Sequence, residues 1–395
     1  MASGGSSRLF FRNGLFTVGP ESASAHPGPA CYRKDGPLTI TDANLVTGRL
    51  AIEMFPKIFG PNENEGLDEE VSKAQFEKLT EEINSQTKGQ KMSVDEVAQG
   101  FIRIANEVSA TTFVTCADTQ VRFSIQTMCR PIRPLTEARG YSASKHILSC
   151  FGGAGGQHAC SLARSLGIKT VLIHRYSSIL SAYGMALADR VYEQQEPSSE
   201  RWDGEKGEAC AKLQKRLGEL EERVRQSLRD QGFADERISV EMMLNLRYDG
   251  TDTALMTLKP HDGWDFEKVF VKTYKQEFGF VLTDKSIMVD DIRVKGIGRS
   301  FDSLGESVHE EFKRLSSSSG GFKTSEAVAK APKRKIYFDE EGRIETPIVR
   351  LKDVQTGEKV EGPTVLIDET QTILVEPKCT AHKLSRAVMI DVIYS

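Results

Sequence analysis

Long hydrophobic runs are missing from this chain of 395 residues. No apolar stretch is long enough to span a bilayer, so a helical membrane protein is excluded. The opening Met1–Ala2–Ser3–Gly4–Gly5 lacks the charged and apolar regions of a secretory signal, and a cytosolic location is expected. A long basic run is absent too, and the formal net charge is -4, which argues against nucleic acid as the main partner. The seven cysteines (Cys31, Cys116, Cys129, Cys150, Cys160, Cys210 and Cys379) are scattered without a C-x-x-C pair. That pattern fits reduced thiols in the cytosol rather than a disulfide framework or a zinc site. The seven histidines show neither H-x-x-x-H nor H-E-x-x-H spacing, so no metal held by this chain alone is expected. Hydrophobic content of 39% and charged content of 27% fit soluble globular domains, and the length suggests two or three of them.

What the chain does have is four glycines in five positions between a strand pattern and a helix pattern. His146–Ile147–Leu148–Ser149–Cys150–Phe151 leads into Gly152–Gly153–Ala154–Gly155–Gly156–Gln157–His158. A helical pattern, Ala159 to Leu166, follows and stops at Gly167, and Thr170–Val171–Leu172–Ile173–His174 reads as a second buried strand. Strand, glycine turn and helix present backbone N–H groups and a positive helix end to a phosphate. Glycine serves there because a Cβ blocks close approach and disfavours positive φ. Neither common nucleotide motif is present. A Walker A loop needs Gly-Lys-Ser/Thr, and a dinucleotide fingerprint needs G-x-G-x-x-G with an acid farther on, where this chain has His174–Arg175. A phosphate or nucleotide role is the expectation, against the plainer alternative of a tight turn with no ligand.

Elsewhere the pattern predicts a Gly/Pro-rich loop over Gly19–Pro29, a short strand Leu38–Thr41, and Asp42 as N-cap of a helix Ala43–Leu50. Amphipathic helices are predicted over Glu69–Asn84 and Ser93–Glu107, the second with Ser93 and Glu96 in a capping box. Val108–Gln126 interrupts the stripe Val97, Phe101, Ile104, Ala105, which resumes at Met128 and Ile132 once those residues are removed. The segment therefore reads as an insertion into one helix. A retained intron would leave a transcript joining Glu107 to Thr127; an ordinary surface loop is the alternative. Ser177–Asp189 is a small-residue helix, and Glu208–Gln231 a long one with Leu213, Leu217, Leu220, Val224 and Leu228 on one core-facing stripe. Val240–Tyr248 and Ala254–Leu258 are predicted strands around a hairpin turn at Asp249–Asp252. The domains expected are 1–195, 196–330 (α+β, helix-rich) and 331–395 (β-rich).

Taken together, Gly19–Pro29, Thr41–Leu50 (TDANLVTGRL), Phe151–Cys160 (FGGAGGQHAC) and Ser181–Asp189 (SAYGMALAD) resemble the hydantoinase A/5-oxoprolinase family. Met128–Gly140, Leu246–Thr251 and Gly362–Pro377 add to the resemblance, which covers nearly the whole chain except Val108–Gln126. It implies an α/β class, with an actin-like (ribonuclease H-like) ATPase portion and a small β-rich C-terminal module. It also implies a reaction: ATP with Mg2+ activates a lactam carbonyl by phosphorylating its oxygen, and water opens the ring. For 5-oxoproline the product is glutamate, a step of the glutathione cycle. Carried onto this sequence, Gly152, Gly153, Ala154, Gly155, Gly156, Gln157 and His158 contact nucleotide. Gly4 and Gly5 look like the remnant of a second glycine turn, and Asp42 and Asn44 lie near the cleft. Asp42 and His158 are the catalytic candidates, each with a plainer alternative, a helix cap for Asp42 and packing for His158.

The chain also departs from that family. The acidic, Gly-Thr-containing phosphate loop of the N-terminal actin-like half has no convincing copy, since Asp249–Thr251 lies in the wrong place. The hydantoinase B-like half, expected to complete lactam hydrolysis, is not in this sequence. A fragment with incomplete machinery is therefore expected, and a homo-oligomer fits the family habit. Two alternatives stay open: a relative acting on hydantoins or other cyclic amides, and a truncated chain without catalysis.

Overall fold

The computed structural model describes residues 4–87, 89–106, 114–116, 119–123, 136, 140–301, 305–318 and 320–393. The chain divides into two compact units, one of Met1–Tyr183 with Glu306–Ser395 and one of Gly184–Gly305. Among the described residues no helix is long and apolar enough to cross a membrane.

The first unit is mixed α/β, the class expected. Its six-stranded sheet runs in the order Lys323–Thr324, Glu358–Glu361, Cys379–Lys383, Ala387–Val392, Thr170–His174, Leu148–Cys150. Leu148–Cys150 and Thr170–His174 are parallel, and the helix Ala159–Leu166 crosses between them, so the βαβ unit read from the sequence is present. The helix stops at Gly167, which takes the left-handed conformation (φ 72°) that a C-cap glycine supplies without strain. Ala159, Cys160, Leu162, Ala163 and Leu166 bury one helix face against Val171, Ile173, Ile373, Val375 and Ile390. Each large aliphatic side chain buried there contributes about 1.5–3 kcal/mol.

The expected 331–395 module does not stand apart as a compact unit, because its strands are shared between two sheets. Ala387–Val392 pairs antiparallel with Thr170–His174, and Thr364–Ile367 and Thr372–Val375 belong to a second sheet with Lys333–Phe338 and Gly342–Arg350. Strand pairing over some 200 residues of sequence leaves no local trace, so composition alone set that boundary in the wrong place.

At the N-terminal end, Ser7–Arg12 and Leu15–Ser22 form an antiparallel hairpin around Asn13–Gly14, both with positive φ (53° and 72°). Asn-Gly is the strongest two-residue hairpin signal, and the sequence reading passed over it. The predicted strand Leu38–Thr41 is instead a bridge at Thr39 followed directly by the helix Ile40–Val46. Glu69–Gln86 and Val94–Asn106 are the two amphipathic helices expected, and the Ser93–Glu96 capping box forms (Ser93 N to Glu96 Oε2 2.6 Å, Glu96 N to Ser93 Oγ 3.3 Å). Phe16, Phe76 and Phe101 close this core, with Phe16 and Phe101 edge to face at 4.7 Å between centroids. Most of the expected insertion Val108–Gln126, and the resumed stripe at Met128 and Ile132, lie outside the described residues. Within it, Val114–Cys116 and Thr119–Phe123 pair with each other, and Thr119–Phe123 also pairs with Leu15–Ser22.

The second unit is a four-stranded antiparallel sheet, Arg190–Arg201, Ile287–Gly298, Ile238–Tyr248, Ala254–Leu258, with the helices Glu208–Asp230 and Phe266–Phe278. Leu213, Leu217, Leu220, Val224 and Leu228 face the core as the stripe predicted. A Cβ on Gly296 would meet Val224 Cγ1 at 2.3 Å, so glycine is what lets helix and sheet approach so closely. The turn at Asp249–Thr251 joins two hairpin strands, as expected.

Candidate functional site

The glycine turn owes its shape to what stands behind it. Gly152 has φ 89°, a backbone conformation that favours glycine, and its N–H donates to the Ser177 carbonyl at 2.8 Å. A Cβ on Gly155 would meet Cys150 Sγ at 2.6 Å, and one on Gly156 would meet the Thr372 carbonyl oxygen at 2.7 Å. Two of the four glycines are thus required by packing against the unit's own strands. Gly153 differs: a Cβ there would find only the Thr370 oxygen, at 3.6 Å. Among the described residues, the amides of Gly153 and Ala154 make no backbone hydrogen bond, while Gly155, Gln157 and His158 donate back into the turn. Two unpaired N–H groups side by side suit an anion.

Gly4 and Gly5 come to the same place. Gly5 accepts from Thr41 N at 2.9 Å, and a Cβ on it would lie 2.6 Å from Thr41 Oγ1 and 3.6 Å from the Ala154 Cβ. The two glycine turns, about 150 residues apart in the chain, therefore adjoin. Thr370, next to Gly153, also lines a cavity of about 530 Å³ whose wall includes Arg175, Tyr176, Ile179, Arg350 and Lys352. Sequence reading did not single out those five for a site, because three cations far apart in sequence carry no spacing signal.

Asp42 lies where no ligand reaches it. It is fully buried at the third position of its helix, not at the N-cap; Thr39 is the cap. Its carboxylate accepts from Ala30 N (3.2 Å), Cys31 N (2.8 Å), Thr39 N (2.8 Å), Thr39 Oγ1 (2.9 Å) and Ser72 Oγ (2.8 Å). Both oxygens are fully engaged, which suits an anchor of the Ala30–Thr39 loop and not a proton carrier. Burial, reinforced by the Asp42 charge, pushes the neighbouring Cys31 thiol far up.

His158 is 1% exposed, at the start of the helix after the glycine turn. Asn44 Nδ2 lies 2.9 Å from Gln157 Oε1 and 3.3 Å from His158 Nε2. With the amide donating to both, Nε2 accepts and the ring proton sits on Nδ1, which has no partner. Asn44 thus ties the helix Ile40–Val46 to the glycine turn. Burial, helped by the Arg49 charge, pulls the His158 pKa down from 6.5 to about 3. A ring held neutral and out of water suits structure better than acid–base work. The unfolded chain takes up the proton near 6.5, so this group's contribution is complete above that pH and is lost as pH falls toward 3. The full shift corresponds to a loss on the order of 5 kcal/mol. His158→Gln is expected to flatten the fall in urea-unfolding stability between pH 6.5 and 4; an unchanged slope would place the acid sensitivity elsewhere.

The comparisons with known proteins bear on the family and the fold. The model of the Hydantoinase/oxoprolinase family matches residues 1–114 and 107–194, two pieces that overlap where the insertion was expected. The Hydantoinase/oxoprolinase C-terminal domain matches residues 200–391. The chain is 46% identical to a 5-oxoprolinase of Dictyostelium discoideum over 396 residues, spanning 100% of this chain and 28% of that protein. It is also 46% identical to a 5-oxoprolinase of Saccharomyces cerevisiae, over 99% of this chain and 28% of that protein. The crystal structure of the ATP-dependent caprolactamase from Pseudomonas jessenii superposes with a TM-score of 0.68 and 26% identity, covering 99% of this chain and 52% of the caprolactamase chain. The chain belongs to the hydantoinase/oxoprolinase family, and it spans under a third of the length of these 5-oxoprolinases.

Proposed function

We propose that this chain, as a member of that family, supplies the nucleotide-binding part of an ATP-dependent cyclic-amide hydrolase, with 5-oxoproline as the lactam and glutamate as the product. The observation that carries the reading is the cradle at Gly153–Ala154. Two adjacent amides make no backbone hydrogen bond, in a turn where Gly155 and Gly156 pack closely behind them. The residues that would hold the nucleotide's phosphates are Gly153 and Ala154, with the Gly4–Gly5 turn beside them and Arg175, Arg350 and Lys352 in the adjoining cavity wall. ATP would supply the phosphoryl group that converts a poor amide electrophile into one with a leaving group on carbon. Among the described residues no cluster of His, Cys, Asp and Glu is arranged to hold a metal, so magnesium would arrive on the phosphates themselves. A hydantoinase B-like partner segment would complete lactam hydrolysis.

A different ring is the second reading, favoured by the likeness to a caprolactamase. Calorimetry of MgATP binding to the 395-residue chain tests the nucleotide site, and a saturable heat is expected. A folded, monodisperse sample giving no heat up to millimolar MgATP would remove the nucleotide site from this chain. Product analysis with 5-oxoproline and with hydantoin, once the B-like half is added, separates the two rings.

A further inference from the structure

Asn44 is fully buried, and its amide stands between two side chains of the glycine turn, Gln157 Oε1 at 2.9 Å and His158 Nε2 at 3.3 Å from its Nδ2. Thr41 and Asn44 are three apart on the helix Ile40–Val46 and share a face. Ala154 and Gln157 are three apart across the short 3-10 turn Gly155–Gln157 and share a side as well. A Cβ on Gly5 would lie 3.6 Å from the Ala154 Cβ, and Gly5 also holds Thr41 N through its carbonyl. Ala154 thus meets the first glycine turn while Gln157 meets the helix tied to it, and Gln157 stands at the seam of the two turns.

Hydrogen-bond counting fixes which way both amides face. As they stand, both Asn44 amide hydrogens have acceptors, and one carbonyl oxygen, Asn44 Oδ1, goes unmet. Turning the Asn44 amide over would bury both hydrogens with no acceptor, which is worse, since buried orphan donors are rarer than under-used carbonyls. Gln157 Oε1 is therefore committed to Asn44, and its Nε2 is left over. Gln157 is 6% exposed. Among the described residues its Nε2 has no partner, yet unlike Asn44 Oδ1 and His158 Nδ1 it is not sealed off from solvent. A side chain more than nine-tenths buried and held by one end thus offers a free N–H donor close to the Gly153 and Ala154 amides, which make no backbone hydrogen bond. A donor already held in place costs little further ordering when a ligand arrives.

We propose that Gln157 Nε2 donates to a phosphate oxygen of the bound nucleotide, and that Asn44 is the positioning residue that aims it. Both roles rest on the glycine turn being the nucleotide site. They add one fixed side-chain donor to the two backbone amides there.

Calorimetric titration of MgATP into the 395-residue chain, Gln157→Ala, Asn44→Ala and the double variant tests the proposal, with urea unfolding of each to keep loss of stability apart from loss of affinity. Gln157→Ala is expected to weaken MgATP about ten-fold or more. Asn44→Ala is expected to weaken it by about three- to ten-fold, because a released Gln157 amide turns through other orientations. In the Gln157→Ala background, Asn44→Ala is expected to change affinity by less than about two-fold, since no amide is left to aim. An Asn44 that served structure alone would weaken binding by the same factor in both backgrounds, and that result would overturn the positioning role. A parent that binds MgATP while Gln157→Ala binds it equally well overturns the proposal and leaves the glycine turn as the nucleotide site; a parent that gives no heat removes both. Should Asn44→Ala fail to fold, Asn44→Ser, whose shorter polar side chain cannot reach Gln157, completes the same cycle.

Discussion

Asp42→Ala is expected to abolish the cooperative unfolding transition of the first unit or to lower its stability by roughly 3–6 kcal/mol. The residue is fully buried, and five donors converge on its carboxylate. Two of them are hydroxyls that can turn away; Ser72 Oγ already reaches the Asp68 carbonyl at 3.4 Å. The other three are backbone N–H groups of Ala30, Cys31 and Thr39, fixed in place and far from water. Each fixed donor left unsatisfied costs about 1–3 kcal/mol, and whole domains are stable by only about 5–15 kcal/mol. Asp42→Asn is expected to recover only a minor part, because its amide nitrogen would place a donor against donors. Urea unfolding followed by circular dichroism reads both. A midpoint for Asp42→Ala within error of the parent would refute the anchor role and return Asp42 to the list of groups free for chemistry.

Asp42 also shows where sequence reading succeeds and where it stops. Its presence at a helix start was legible, since Asp with apolar residues after it marks an N-terminus. Its position was misread, because Thr39-x-x-Asp42 is a capping box with aspartate in place of the usual glutamate, which puts the helix start three residues earlier. The glycine turn and its βαβ frame were legible because both depend on neighbours in sequence: an apolar run, glycines, a helix period, a stop at Gly167. The helix Glu208–Asp230 was legible for the same reason, its five stripe residues all falling on one buried face.

What was not legible depends on partners distant in the chain. The strand Arg190–Arg201 is polar, carries Pro197 and lies at a sheet edge, so neither apolar alternation nor composition announced it. Gly155 and Gly156 looked like ligand-contacting positions, but they are glycine because Cys150 and Thr372 stand behind them, a fact visible only once the strands are paired. Arg49 passed unnoticed, since a lone arginine within the predicted helix Ala43–Leu50 reads as surface, and its burial follows from packing in a unit that draws on both ends of the chain.

That division among the glycines gives a pair of substitutions with opposite signatures. Gly156→Ala would place its methyl 2.7 Å from the Thr372 oxygen and 3.2 Å from the Ile373 Cα, both backbone atoms that cannot swing aside. It is expected to cost about 2–3 kcal/mol of stability and, by displacing the turn, to weaken MgATP about ten-fold or more. The Cβ of Gly153→Val meets only an ordinary contact, the Thr370 oxygen at 3.6 Å, and Gly153 lies outside the left-handed region where a side chain would be strained. Its stability is expected to stay within about 0.5 kcal/mol of the parent. Its isopropyl group would nevertheless crowd the two unpaired amides, so MgATP affinity is expected to fall at least about ten-fold. Calorimetry and urea unfolding on the same two proteins separate the cases. Loss of affinity in Gly153→Val without loss of stability can come only from a ligand at the turn. A Gly153→Val chain that binds MgATP like the parent would mean that the phosphates sit elsewhere.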